Sequence, residues 1–394
     1  CREGDKNINS YVYPQYPMEK IMDTMRPIYE KAVADAKAAD TPEKRRGVGI
    51  AWGGFNVTEG GGDSAEVALE LMPGNKIRKY DTWHAMGQGA TTGSLVVTLE
   101  ALKEMHLTPE DIQLIQNDTK TCPDTGMAGA SRSLYMDGNA TIIAANKLLA
   151  AMRKEDGTLR TYDEMKAEGI ETKYLGRYET NTTPGLCRLD PNTGIGDPTP
   201  AFTYCLNLAE VEVDTKTGKT TVLKFTCVDF VGRIGNIDAV NGQAYSGIMH
   251  GIGFALKEDY ADVKKHANMF GAGTSYIKDV PDDIDLIHID GAISDGPFGS
   301  SGASEAFQAS GHCAVLNGIY NACGVRIHEI PALPEKVKAG LDAIAKGEKP
   351  YEPKKYFLGS DMYEELENIK ENPVQVGTQS FYVSLDDPTA ERPF

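Results

Sequence analysis

One pattern runs through the chain twice: strand, turn, strand, small-residue loop, helix, strand, small-residue loop, helix. The first copy opens with AEVALEL (65–71), a turn at Pro73-Gly74-Asn75 and KIRKYDTW (76–83). The Gly-rich loop GQGATTG (87–93) follows, then an apolar helix to about Lys103. Strand DIQLIQN (111–117), loop GMAGASR (126–132) and a helix over about 139–152 close the copy. The second copy repeats the order. LAEVEVD (208–214) turns at Lys216-Thr217-Gly218 into TTVLKFTCVDF (220–230). NGQAYSG (241–247) leads into a helix ending near Glu258. DIDLIHID (283–290), loop GPFGSSGASE (296–305) and a helix over 310–323 complete it. Apolar–polar alternation marks the strands and 3.6-residue apolar spacing the helices. The pattern predicts an α+β fold of two related strand-strand-helix-strand-helix units.

The boundaries follow from it. Residues 1–46 read as a helical N-terminal segment, which Pro27 should kink or divide. Residues 47–200 form the first unit, with 153–200 as a long surface excursion. Residues 201–345 form the second unit, and 346–394 a polar tail with a short helix in SDMYEELENIKE.

Charge narrows the partners. Of the 394 residues, 57 are acidic and 40 basic, a formal net charge of −17. That disfavours nucleic acid and anionic membrane. A local cluster of backbone amides can still hold phosphate. No apolar run is long enough for a membrane span. CREGDKNINSYVY at the N-terminus lacks both an apolar stretch and an initiator Met, so a processed chain or a piece of a longer polypeptide is expected. The seven cysteines form no CxxC, which argues against an iron–sulfur or zinc site within the chain. Cys205 and Cys227 lie almost symmetrically about a hairpin turn and could face one another, but reduced thiols are expected. Histidine spacing matches no metal motif, and GxSxG is absent.

The small-residue loops carry the remaining chemistry. Strand, loop and helix N-terminus together gather N–H groups around an anion. GPFGSSGASE ends in Glu305, which could act as a base beside an electrophile or simply sit in the first turn of the next helix. Composition alone favours the helix-end reading. Arg132 could meet a phosphate or carbonyl, or be a surface arginine at a tight connection. Gln88 could bond a planar ligand or cap its own helix. GQGATTG fits neither nucleotide-binding fingerprint. GGFNVTEGGG (53–62) offers amides and Phe55, which alone reads as a core aromatic.

Taken together, GQGATTG, GMAGASRSLYMDGNA, NGQAYSGIMHGIGFALKEDY and GPFGSSGASEAFQASGHCAVLNGIYNACGVRIHEIPALPEKV resemble the molybdenum hydroxylases of the xanthine oxidase family, bacterial aldehyde oxidoreductases above all. The resemblance implies that the two units form half of a molybdopterin-binding domain. It implies a molybdopterin cytosine dinucleotide whose dithiolene, with no protein side chain, holds molybdenum. By position Glu305 matches the family's general base. Gly87, Gln88, Gly89 and Ala90 match one cofactor loop, and Gly129, Ala130, Ser131 and Arg132 a second. Ser300, Ser301, Gly302 and Ala303 match the loop beneath the metal. Phe55 aligns with an aromatic of the substrate pocket. The implied reaction hydroxylates an aldehyde to a carboxylic acid with water-derived oxygen.

The same resemblance sets out what lies elsewhere. Iron–sulfur clusters and the other half of the molybdenum-binding region are expected on a partner chain or missing segment. A purine or N-heterocycle hydroxylase is the alternative activity. A non-catalytic subunit with the same fold is the alternative class. A cytoplasmic location is expected, with the periplasm also open.

Overall fold

The computed structural model of the chain describes residues 4–6, 15–58, 62–180, 190, 192–194, 199, 201–262, 264–293, 295–348 and 371. Helix α1 spans Met18–Ala39 and strand β1 Lys44–Val57. The first copy of the pattern then gives β2 (Ser64–Met72), β3 (Lys76–Asp81), α2 (Ala90–Ala101), β4 (Ile112–Gln116) and α3 (Ser133–Met152). A short α4 (Tyr162–Ala167) and β5 (Lys173–Glu179) follow. The second copy gives β6 (Ala201–Asp214), β7 (Thr220–Phe230), α5 (Ile237–Leu256), a one-turn α6 (Met269–Ala272), β8 (Asp283–His288), α7 (Ser304–Gln308) and α8 (Gly311–Cys323). Helix α9 (Pro334–Ala345) comes last.

The strands form two mixed sheets of one design, ordered β4-β3-β2-β5 and β8-β7-β6-β1. In each, the first two strands of the copy pair antiparallel, and the second pairs parallel with the third. An extra antiparallel strand closes the far edge of each: β5 beside β2, β1 beside β6. A parallel pair needs a crossover helix, and α2 and α5 supply it.

Both edge strands use glycine to admit a helix. A Cβ on Gly49 of β1 would stand 2.1 Å from the Ala314 carbonyl of α8, and one on Gly176 of β5 would stand 2.0 Å from the Ala140 carbonyl of α3. Apolar burial does the rest. Phe225, Ile248, Phe307, Val315 and Ile319 are buried between the second sheet and α5, α7 and α8. Leu69, Leu71, Ile77, Leu148 and Met152 are buried between the first sheet and α3. Ile21 and Met25 seat α1 in a third cluster with Val57, Tyr135 and Leu208.

Several expectations need correction. β1 is missing from the pattern read off the sequence, because its glycines interrupt the alternation. It also joins the second sheet, not the unit that contains it in sequence. The excursion holds α4 and β5, and β5 is a full partner of β2. NGQAYSG lies inside α5, since Asn236 caps the helix earlier by accepting from the Ala239 N–H at 3.0 Å. α1 continues through Pro27, its buried Ile21, Met25 and Ala32 lying on both sides of the proline. Cys205 and Cys227 are both free and buried. Cys205 pairs with Asp229 and Cys227 with Asn207, so the thiols are diagonal neighbours. A hydrogen bond with Cys205, together with burial, holds the Cys227 thiol well above its ordinary range. The helix read in SDMYEELENIKE lies outside the described residues, apart from Glu371.

Candidate functional site

At the C-terminal ends of the parallel strands, the two copies open onto one cavity of about 760 Å³. Four helix starts reach it: Gly89 and Ala90 at α2, Ser133 and Leu134 at α3, Asn236 and Ala239 at α5, Ser304 and Glu305 at α7. The first turn of each leaves N–H groups without helical partners. Trp83, Val96, Val97, Leu134, Val231 and Val240 give apolar walls.

The two copies hold their cavity walls in matching ways. β3 ends at Asp81, whose parallel partner is Gln116; β7 carries Asp229, whose parallel partner is His288. Gln116 donates to Asp81 at 2.8 Å and accepts from Thr91 of α2 at 3.1 Å. His288 meets Asp229 at 2.8 Å and the Asn241 Oδ1 of α5 at 2.8 Å. Each bridge thus ties a buried strand carboxylate to a crossover helix. Two residues on, Trp83 and Val231 enter the cavity wall. The Asp229 hydrogen bond holds the His288 imidazole above its ordinary pKa, while burial raises the Asp229 carboxyl.

Behind Trp83, Lys79, Asp81 and Asp137 are fully buried together. Lys79 lies 2.6 Å from Asp137 and 3.4 Å from Asp81. Burial pushes the Asp137 carboxyl up to about 6, with Lys79 opposing.

The loops of the two copies meet at Glu305. Ser131 donates to the Glu305 carboxylate, and the Glu305 N–H reaches Ser131 Oγ at 3.4 Å. Ser131 and Ala130 both have left-handed backbones, with φ of 48° and 51°. Non-glycine residues there carry strain, and such strain concentrates at functional sites. A Cβ on Gly302 would stand 1.7 Å from the Ser131 carbonyl, so the loops touch backbone to backbone. α7 is anchored by buried Ala306 and Phe307, which leaves Ser304, Glu305 and Gln308 on the cavity side. The carboxylate is therefore met by the other loop, not by the N–H groups of its own first turn.

Gln88, Gly89, Ala90, Gly129, Ser131, Ser300, Ser301, Gly302, Ala303 and Glu305 all line this cavity. Gly87 lines an adjoining pocket that shares Gln88, Gly89, Ala239 and Gln243. Gln88 spends its side-chain amide on its own loop, bonding the Met86 N–H and the His84 carbonyl. Three sequence candidates stand elsewhere. Arg132 is buried, with donors on Asp63, Ser64, Thr125 and Met127. Its guanidinium ties loops together and does not line the cavity. Ala130 turns its carbonyl to the Thr58 N–H at 3.0 Å. Phe55 is half-buried on β1, outside the cavity lining. Trp83, Arg233, Asn236, Gln243 and Phe298 line the cavity unforeseen. Aligning the two copies on Asp81 and Asp229 would have drawn attention to 231–236.

Two buried polar atoms in the lining have no partner among the described residues: the Ser301 hydroxyl oxygen and Trp83 Nε1. Buried polar groups are normally satisfied, so each is available to a polar ligand or a water in the cavity. Among the described residues no group of three or more His, Cys, Asp and Glu could hold a metal ion. Orphan hydroxyl, orphan indole N–H and helix starts suit a large polar ligand with an anionic arm.

Comparison with known proteins decides the family. Residues 25–281 match the model of the molybdopterin cofactor-binding domain. The chain belongs to that family. Its whole-chain likeness is to molybdenum hydroxylases of the xanthine oxidase type. It is 39% identical over 342 residues to the aldehyde oxidoreductase of Megalodesulfovibrio gigas, covering 87% of this chain and 37% of that protein. The crystal structure of the aldehyde oxidoreductase from Desulfovibrio desulfuricans superposes with a TM-score of 0.82 at 41% identity, over 86% of this chain and 37% of that one. A probable hypoxanthine oxidase of Escherichia coli is 28% identical over 66% of this chain and 29% of its own length. This molybdopterin-binding chain thus spans little more than a third of its aldehyde oxidoreductase relatives. No helix among its described residues is long and apolar enough to cross a membrane.

Proposed function

We propose that the chain forms one side of the active site of a molybdenum enzyme that hydroxylates aldehydes to carboxylic acids, with Glu305 as the general base. The observation that carries this is the Ser131–Glu305 contact, which places a carboxylate where both loops meet over the cavity. Residues 47–200 and 201–345 act as two units of half a cofactor domain, with β1 exchanged into the second sheet. The 39% likeness to an aldehyde oxidoreductase favours aldehydes over purines, for which the likeness is 28%.

The cofactor, as the cytosine dinucleotide, supplies a metal that accepts two electrons. The chain's own residues bind, orient and move a proton. The N–H groups of Gly89 and Ala90 and the side chains of Ser301 and Trp83 would hold the cofactor's polar edge and anionic arm. Gly302 lets the loops close to backbone contact. Glu305 takes the proton from the water-derived oxygen as that oxygen attacks the aldehyde carbon, whose own hydrogen would leave with the two electrons that the cofactor accepts. Ser131 holds the carboxylate in line. Iron–sulfur clusters that carry electrons away, and the opposite wall of the cleft, belong to a partner chain or segment, and the assembly works in the cytoplasm.

Glu305→Gln tests the reading in the assembled enzyme. At matched molybdenum content, aldehyde turnover should fall by about 10²–10⁴-fold with the fold unchanged. Turnover near wild type would reduce Glu305 to a helix-end residue.

A further inference from the structure

Among the described residues lining the cavity, only Arg233 carries a positive charge. Every other described arginine has a polar, ionic or aromatic partner, such as Arg26 with Asp23, Arg45 with Asp40, Arg46 with Glu212, Arg78 with Gln113 and Arg326 with Tyr320. The Arg233 guanidinium has none among the described residues, and its side chain is exposed to the cavity. In a chain of net charge −17, carboxylates are abundant and an idle arginine is unusual.

Its backbone is not idle. The Arg233 N–H donates to the Gly299 carbonyl at 2.8 Å, and the Arg233 carbonyl accepts from Ser300 Oγ at 2.6 Å. Gly232 pairs with Ser300 across an isolated bridge. The base of the side chain is thus clamped to the loop that presents Ser301. Three residues later Asn236 caps the 20-residue helix α5, whose first turn opens on the same cavity through Asn236 and Ala239. Ser301 is 6% exposed, and its hydroxyl has no partner. Glu305 and Glu100 are the acidic groups of the lining, and Glu100 is paired with Lys103 at 3.0 Å. Asp238, in the first turn of α5, lines the adjoining pocket and not this cavity.

We infer that Arg233, the Ser301 hydroxyl and the start of α5 form an anion subsite that takes a phosphate ester. On the functional reading above, that ester is the phosphate arm of the bound cofactor. A guanidinium offers paired donors to phosphate oxygens, and a helix start adds N–H groups and positive potential. The loop GQGATTG of the first copy, on which sequence reasoning fixed, supplies the facing wall at α2. The second copy supplies the cation.

The test uses Arg233→Gln and Arg233→Lys in the assembled enzyme. Molybdenum and phosphate per chain, and the rate of cofactor loss on dialysis, are measured first. Pyrophosphate is then titrated calorimetrically into cofactor-stripped enzyme. A charge-assisted contact predicts about a tenfold faster loss of cofactor and about tenfold weaker pyrophosphate binding in Arg233→Gln, with Arg233→Lys recovering most of both. The thermal midpoint of the stripped protein should not move, since the guanidinium makes no hydrogen bond or ion pair with a described residue and its Cβ beside Gly299 is kept in both variants. Weaker pyrophosphate binding with unchanged cofactor retention would assign the subsite to free anions and overturn the cofactor assignment. Wild-type values in both measurements would overturn the subsite altogether. A wild-type enzyme that purifies without pterin would instead sink the functional reading, which separates the two failures.

Discussion

The hydroxyl of Ser131 donates a hydrogen bond to the carboxylate of Glu305, 174 residues further along the chain. Each residue lies at the C-terminal end of the second small-residue loop of its own copy, Ser131 one residue before its last and Glu305 as its last. The contact is therefore where the internal repeat closes on itself. The left-handed backbone at Ser131 aims the hydroxyl, and Gly302 leaves room for the approach.

Ser131→Ala should separate positioning from chemistry. The base remains, but nothing fixes its direction. Aldehyde turnover at matched molybdenum content is expected to drop by about 10-fold, in line with loss of a hydrogen bond to a charged group. KM should change little, and Ser131→Thr should restore part of kcat. A kcat equal to wild type in Ser131→Ala would remove Ser131 from the site.

Lys79→Met should destabilise the fold by roughly 3–5 kcal/mol at neutral pH, because Asp81 and Asp137 would be left buried without a cation. Asp137 is raised to about 6, above its unfolded value of about 4. A raised carboxyl favours folding in its protonated form. Its contribution is present below about pH 4 and is lost as pH climbs through about 6. The defect in Lys79→Met should therefore shrink on acidification. Urea unfolding of both proteins at several pH values checks this, and a pH-independent defect would contradict it.

His288→Gln asks whether the second copy can use the bridge of the first, where Gln116 stands in the matching position. The His288 pKa is raised, chiefly by Asp229. The stability it contributes is complete below its ordinary value of about 6.5 and is lost as pH rises through the folded value. Asp229, raised by burial, adds a change of the same sign. Wild-type stability should decline as pH rises above about 6.5, and His288→Gln should decline less steeply over that range. Equal slopes in the two proteins would show that His288 does not titrate across the transition.

Much of this was legible beforehand. Alternating strands, apolar helices and loops such as GPFGSSGASE are local signals, and each reports its own segment. They located the loops at the centre of the cavity lining, Glu305 included. The partners of Arg132 were not legible because its sequence neighbours are those of an anion loop, whereas its guanidinium bonds Asp63, 69 residues away. Phe55 was misplaced because β1 was not seen as a strand, so its pairing with β6 could not enter. Arg233 was passed over because VGRIGN matches no site motif; its place at the cavity comes from the clamp of its backbone to Gly299 and Ser300.

By itself the sequence determined the repeat, the order of its elements and the chemical types at the loop ends, all of which depend on short-range patterns. Tertiary structure decided which strand completes each sheet, which arginine faces the cavity and which hydroxyl meets the carboxylate. Those outcomes depend on contacts between segments far apart in the chain, such as Gly302 against Ser131, where absence of a side chain in one loop lets the other arrive. No local pattern encodes such a contact, because it is a property of two surfaces that exist only once both copies have folded.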